Sequence, residues 1–228
     1  ATGGCATVTD TKTITVNAAP TAPTSITGTT AICSGTTTTL TAAGGSTGSG
    51  ATYQWGTGSS VGSSIISGAT SSSYTTSTLS SNTTYWVRRV GNTSCTNTTG
   101  GVTQAVTVTA VPTITGYTAG SRCGSGAVII VGTASAGSIK WYDAASGGNL
   151  EGSSGSAANF TTQTISSTTT YYAEAVDGSC NSSSRQSVVA TVITPPTITA
   201  NTPGSRCGTG TVIIVGTASA GSIKWYDA

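Results

Sequence analysis

Residues 113–144, TITGYTAGSRCGSGAVIIVGTASAGSIKWYDA, recur 84 positions later as TITANTPGSRCGTGTVIIVGTASAGSIKWYDA at 197–228, with 27 of 32 positions identical. Such self-similarity constrains the fold more than any single motif, because each period must be one structural package built on the same plan as its neighbours. A third, diverged copy lies upstream. There AICSGTTTTLTA, ATYQWGTG, SNTTYWVRRV and NTSC take the places of SRCGSGAVIIVGTA, SIKWYDA, STTTYYAEAV and DGSC. The sequence therefore divides into two whole modules, 20–111 and 112–194. Residues 1–19 read as the last strand of a truncated module and 195–228 as the opening of another. The end pieces together lack the middle of a module and its aromatic strand, so they cannot complete each other. The expectation is a segment of a longer repetitive polymer.

Each module shows short alternating runs bounded by Gly, Ser, Asn or Pro, with no helical period longer than a turn. Strands are expected at 36–41, 52–56, 83–90 and 102–109. About seven strands in 85–90 residues is the size of an immunoglobulin-like sandwich. The expected fold class is all-β, with tandem immunoglobulin-like β-sandwich modules in a linear array. Fifty Thr, 34 Ser and 31 Gly make up about half of the 228 residues. Charged residues are only 6%, against about 25% in ordinary globular chains. Low charge with abundant Thr, Val and Ile favours folded β-structure over disorder. Joints at 18–23, 111–112 and 194–196 contain Pro, which cannot extend a ladder and stiffens the connection. On one strand Ile139 and Trp141 share a face opposite Lys140 and Tyr142; the matching face upstream is Tyr53 and Trp55, and both are expected in cores. Tyr85 and Tyr171 stand where a tyrosine corner would lie.

Several function classes are excluded by composition. With no His there is no His-dependent triad, imidazole ligand or histidine switch. A net charge of +2 is too small for a phosphate-tracking surface, so nucleic acid is not an expected partner. The longest aliphatic run is about five residues, far short of the roughly 20 of a spanning helix, so no membrane insertion is expected. The acids Asp143, Glu151, Glu174 and Asp177 lie in the second module, and none lies between residues 20 and 111. Only Asp143 recurs, as Asp227, so a repeated catalytic carboxylate pair is not expected. No CxxC spacing or acidic joint suggests a metal, and no cofactor is expected.

Six cysteines, Cys5, Cys33, Cys95, Cys123, Cys180 and Cys207, are separated by 28, 62, 28, 57 and 27 positions. The long gaps lie inside modules and the short ones cross joints. The spacing predicts Cys33–Cys95 and Cys123–Cys180 disulfides, with Cys5 and Cys207 paired outside this sequence. The alternative is six free buried thiols. A closed loop of about 60 residues contributes roughly 4 kcal/mol in the chain-entropy model, would limit how far a module can be extended, and implies an oxidising compartment. Lys140 and Glu174 are expected as a cross-strand ion pair, matched upstream by Gln54 and Arg88.

The second module, with RCG at 122–124, IKWYDAASGG at 139–148, STTTYYAEA at 167–175 and CNSSSRQSVVATV at 180–192, resembles the Ig-like repeats of giant surface proteins of gliding and related Bacteroidetes. The first, with YQWGTGSSVGSSIISG at 53–68 and TTYWVRRVGNTSC at 83–95, resembles the companion repeat of the same proteins. The resemblance implies export by the type IX route and an extracellular position at the bacterial cell surface, with no catalytic residue. Such arrays occur in adhesins, gliding-motility filaments and spacers of secreted enzymes. Two main readings follow. One is a structural stalk or filament segment, whose partners are neighbouring modules, identical chains laterally, and surface polysaccharide only at a remote tip. The other is a glycan- or surface-binding module, for which exposed Trp86, Arg88, Arg89 and Tyr172 would be the contacts. A hydrolase spacer is a third.

Overall fold

A computed structural model describes residues 4, 5, 7 and 9–227. The remaining residues of the expected strand at 1–19, and Ala228 of the expected final module piece, lie outside the described residues. The chain forms two compact units, Ala1–Val111 and Pro112–Ala228.

Among the described residues the first unit has seven strands in two sheets. β1 (Ser25–Gly28), β3 (Thr39–Ala43) and β5 (Ser73–Thr75) form one sheet in the order β1-β3-β5. The other has the order β2-β7-β6-β4, from β2 (Ala31–Cys33), β4 (Thr52–Thr57), β6 (Thr83–Asn92) and β7 (Cys95–Thr109). The chain crosses from the first sheet to the second between β1 and β2, where β2 pairs parallel to β7 while all other pairs are antiparallel. This is the two-sheet Ig-like sandwich, and its core follows from strand alternation. Leu40 and Ala42 of β3 face Trp55 of β4, Tyr85 and Val87 of β6 and Val106 of β7. The abundant hydroxyls have two uses. On the outer face Thr39 bonds Thr75 and Thr41 bonds Ser73 across strands, both at 2.9 Å. Inside, the buried Thr76 hydroxyl accepts the Thr38 N–H (3.1 Å).

The second unit repeats this plan. β8 (Ile114–Thr118), β10 (Ile129–Ala134) and β13 (Asn159–Thr161) make one sheet. The other runs β12-β11-β14-β16-β9, from β9 (Gly120–Cys123), β11 (Ser138–Tyr142), β12 (Leu150–Gly155), β14 (Thr169–Asp177) and β16 (Gln186–Ile193), with β15 (Cys180–Asn181) on β14. Again the switch strand, β9, pairs parallel to the last strand. Thr162 repeats the role of Thr76, accepting the Val128 N–H at 3.0 Å. β12 has no regular counterpart in the first unit, where residues 58–64 form bends and turns held by an isolated bridge between Gly56 and Ile65.

Beyond the second sandwich, β17 (Ile198–Thr202) and β18 (Val215–Ala218) form a two-stranded hairpin. Its register, Ile198 opposite Ala218 and Thr202 opposite Val215, is that of Ile114–Ala134 and Thr118–Val131 displaced by one repeat. Residues 9–19 carry no strand.

The core tryptophans are where alternation placed them, but their packing partner differs from the expected staple. Antibody-type domains set this tryptophan against a disulfide joining two facing strands. Here those facing strands carry Leu40 and Val87, or Ile130 and Ala173, and the tryptophan meets an aromatic ring instead. Trp141 stacks on Phe160 with centroids 5.1 Å apart and an 11° interplanar angle; Trp55 lies 5.9 Å from Tyr74. Tyr85 and Tyr171 are buried in the same clusters, 5.9 Å from Tyr74 and Phe160 respectively, and burial raises both phenol pKa values.

Candidate functional site

The residues proposed as surface contacts divide between the two faces of β6 and β14. Trp86 and Arg88 share the outer face of β6, and Tyr85, Val87 and Arg89 the inner one. Trp86 is nevertheless 0% exposed. Its ring lies across Gly56, the residue directly opposite it on β4, where a Cβ would overlap ring atoms Cζ2 and Cε2. Its indole N–H donates to Ser63 O (2.9 Å) and Thr57 O (3.2 Å), so the segment after β4 folds over it. The expectation of an exposed Trp86 is thus corrected. Strand parity gives its face, and an aperiodic loop covers that face.

Arg89 is corrected too, at 4% exposure. It shares the parity of the core residues, and its guanidinium lies 4.1 Å from the Tyr53 ring centroid while Nη2 donates to the Tyr53 hydroxyl (2.7 Å). Nε and Nη1 are buried with no hydrogen-bond partner among the described residues. Arg88 is partly exposed. Its Nε donates to Gln54 Oε1 (2.8 Å), and its guanidinium is 5.5 Å from the Trp86 centroid. Tyr172 is half-buried between Tyr142 and Ser187. Only Arg88 and Tyr172 of the four reach solvent appreciably.

The register expected for the second unit is observed, since Lys140 lies opposite Glu174, as Gln54 lies opposite Arg88. The charge on Glu174 is taken by Arg185 instead, with Nε 3.8 Å from Oε1. The Arg185 guanidinium carbon lies over Tyr142, 3.3 Å from the ring centroid, and Nη1 donates to Ala144 O (2.8 Å) and Gly147 O (2.6 Å). Two carbonyls, a ring and a carboxylate fix one guanidinium, which Lys140 on its flexible stem cannot match. Nearby Asp143 accepts the Asn149 backbone N–H (2.7 Å) and side-chain amide (2.9 Å), and the backbone bond chiefly holds its pKa below the usual carboxylate value. Among the described residues no group of three His, Cys, Asp or Glu side chains could hold a metal ion, and no helix is long and apolar enough to cross a membrane.

The cysteines occupy corresponding places in both sandwiches, and those places rule out the expected pairs. Cys33 ends β2 opposite Thr109, while Cys95 opens β7 opposite Asn92. Fourteen positions of β7 separate Thr109 from Cys95, about 46 Å at roughly 3.3 Å per residue. Likewise Cys123 faces Ile193 at the end of β16, and Cys180 faces Asp177 at the far hairpin. A disulfide needs Cα atoms within about 7 Å. Accordingly Cys95 and Cys123 are free thiols, as are Cys5 and Cys207, whereas Cys33 and Cys180 are each disulfide-bonded. Neither within-module staple is formed.

The model of the family described as "Ig-like domain CHU_C associated" matches twice, at residues 20–112 and 109–195. A comparison with curated proteins finds no match. Similar solved structures include the three N-terminal domains of the bacteriophage RB49 outer capsid protein Hoc, at 12% identity and a TM-score of 0.43, covering 75% of this chain and 69% of that one. Fibronectin(III)-like modules of Clostridium thermocellum CbhA match at 12% identity and a TM-score of 0.42, covering 75% and 95%. A Ca2+-stabilised, ice-binding adhesin of an Antarctic bacterium matches at 13% identity and a TM-score of 0.39, covering 82% and 52%. Matched over well more than half of its length, the chain belongs to the CHU_C-associated Ig-like domain family.

Proposed function

We propose that this chain is a stalk segment of a large repetitive adhesin, exported by the type IX route, extracellular at the bacterial cell surface, and serving adhesion or gliding by supplying length and rigidity. The observation that carries this reading is the inward use of the side chains best suited to recognition. Binding energy at interfaces concentrates in Trp, Tyr and Arg. In the two sandwiches Trp55, Trp86, Trp141 and Arg89 are all buried, and Arg185 is held by four groups of its own module. What remains outside is mainly Thr, Ser and Gly, with Tyr117 and scattered aliphatic side chains such as Ile65, Ile129 and Leu150. Two Ig-like modules in tandem fit a spacer, and nothing in this reading requires catalysis.

The test is adhesion of the full chain to polysaccharide and glass, beside an unrelated pair of Ig domains. The stalk reading expects equal, non-saturable retention. Saturable adhesion that falls on Arg88→Ala or Tyr172→Ala, the contacts that do reach solvent, would replace it with the binding-module reading.

A further inference from the structure

The first sandwich buries a cation for which its own module supplies no counter-charge. Arg89 is 4% exposed, and a guanidinium stays protonated in proteins. No Asp or Glu lies between residues 20 and 111, and among the described residues the one ion pair is that of Arg185 with Glu174 in the other sandwich. Tyr53 meets only part of the need. Its ring centroid is 4.1 Å from the guanidinium carbon and its hydroxyl accepts from Nη2 at 2.7 Å, while Nε and Nη1 are buried with no partner among the described residues. Burying an uncompensated charge is costly, and arginine cannot escape the cost by losing its proton. The fold does not require this arrangement. Tyr53 stands opposite Arg89 across β4 and β6; counted from Trp55 and Trp141, the same place in the second sandwich holds Ile139 opposite Ala175, both 0% exposed.

We propose that Arg89 and Tyr53 form a buried site for a small monovalent anion of the chloride class. Nε and Nη1 supply two donors. The Tyr53 hydroxyl, whose oxygen accepts from Nη2, keeps its own proton as a third. A dianion such as sulfate would bring a second charge that nothing in the module neutralises, at a greater desolvation cost. Fluoride holds its water too tightly to enter. The weakly hydrated guanidinium instead suits an anion that sheds water readily, such as chloride, bromide or nitrate. A groove of about 280 Å3 gives access, lined in part by Tyr53, Ile65, Ile66 and Val90, and so borders both the residue opposite Arg89 and the residue after it. At 4% exposure Arg89 is out of reach of a macromolecule, which confines the ligand to an ion. The site is interior, so adhesion assays leave the inference untouched.

The experiment titrates the full chain with sodium chloride in exchange for sodium fluoride at constant ionic strength, following thermal unfolding and the NMR linewidth of the chloride itself. Chloride should stabilise the parent relative to fluoride, each tenfold rise above the dissociation constant adding about 1.4 kcal/mol. It should also show excess line broadening that bromide competes away. Arg89→Met should lose both effects. Arg206→Met, which removes one exposed cation, should keep both. Tyr53→Phe keeps the ring but removes one donor to the anion, and should weaken chloride binding about tenfold. An equal response of the parent to chloride and fluoride, or broadening that persists in Arg89→Met, would overturn the inference. So would a parent without excess broadening, which would assign Nε and Nη1 to water. If Arg89→Met fails to fold, the parent titration and Tyr53→Phe decide, and unchanged affinity in Tyr53→Phe then refutes the site.

Discussion

Substituting Gly56→Ala should unseat Trp86 and so measure how much the covered indole contributes to the first sandwich. The added methyl group falls on ring atoms Cζ2 and Cε2, and Trp86 is fully buried with its N–H bound to Ser63 and Thr57 carbonyls. Overpacking of this kind costs about 1–3 kcal/mol. A displaced indole also gives up the hydrogen bonding of its one N–H, shared between the two carbonyls and contributing about 1 kcal/mol. The sum, about 2–4 kcal/mol, corresponds to a fall of at least about 10 °C in the Tm of a module this size. Calorimetry reads the shift, and Gly116→Ala is the control, because a Cβ there meets only Thr133 Cβ at 3.8 Å. The control should melt within about 0.5 kcal/mol of the parent. In a Trp86→Ala background the clash disappears, so Gly56→Ala should then be nearly neutral, giving a coupling of about 2 kcal/mol. A Gly56→Ala protein melting with the parent, or an equal loss in both backgrounds, would refute the account of Trp86 as a seal on β4.

Trp141→Ala should cost about 3–5 kcal/mol by urea unfolding, and Trp225→Ala far less, because Trp141 is fully buried and Trp225 is 56% exposed within the same local sequence. Arg89→Met should be neutral or stabilising by calorimetry, since it removes a buried charge with two unmatched donors and leaves Tyr53 a flexible apolar neighbour; a loss above about 2 kcal/mol would contradict this. Arg185→Ala should cost about 1–2 kcal/mol in thermal unfolding through loss of its ring and carbonyl contacts. Burial raises the folded-state pKa of Tyr85 and Tyr171 above the ordinary value of 10.0. A raised pKa means the stability they contribute is complete below pH 10 and declines above it; unfolding titrations of Tyr85→Phe and Tyr171→Phe should show a shallower alkaline loss.

Alternation in the sequence carried the sheet faces well. The pairing of Lys140 with Glu174 follows from outward positions relative to the core Trp141 and Tyr171, and that of Gln54 with Arg88 from matching the two modules; both registers are those observed. The inner position of Arg89 was equally available, since it shares parity with Tyr85 and Val87, and the face of Tyr53 accommodates its charge there. Trp86 was not legible in the same way. A glycine opposite a tryptophan is the one available signal of a ring lying on a strand, and the covering segment after Thr57 is Gly- and Ser-rich without period. Cysteine spacing reports how many residues lie between thiols and nothing about direction. The intervening strands run the length of the module and put the two sulfurs at opposite ends.

The parallel pairing of β2 with β7, and of β9 with β16, determines how a sandwich bears a load. The switch strand follows the incoming end of its module, and the last strand leads directly to the next joint. Pulling the chain ends apart drags these two strands in opposite senses along their own axes. Three ladder positions join β2 to β7, flanked by Thr107 N–H on Thr30 O (2.7 Å) and Ser34 N–H on Thr109 O (2.8 Å). Four join β9 to β16, followed by Gly124 N–H on Ile193 O (2.9 Å). Slanted, evenly spaced bonds loaded this way are sheared together, whereas a hairpin pulled from its open end parts one bond at a time. The short parallel ladder is therefore a mechanical clamp made of backbone alone, and it would act in every copy of the repeat that completes its second sheet.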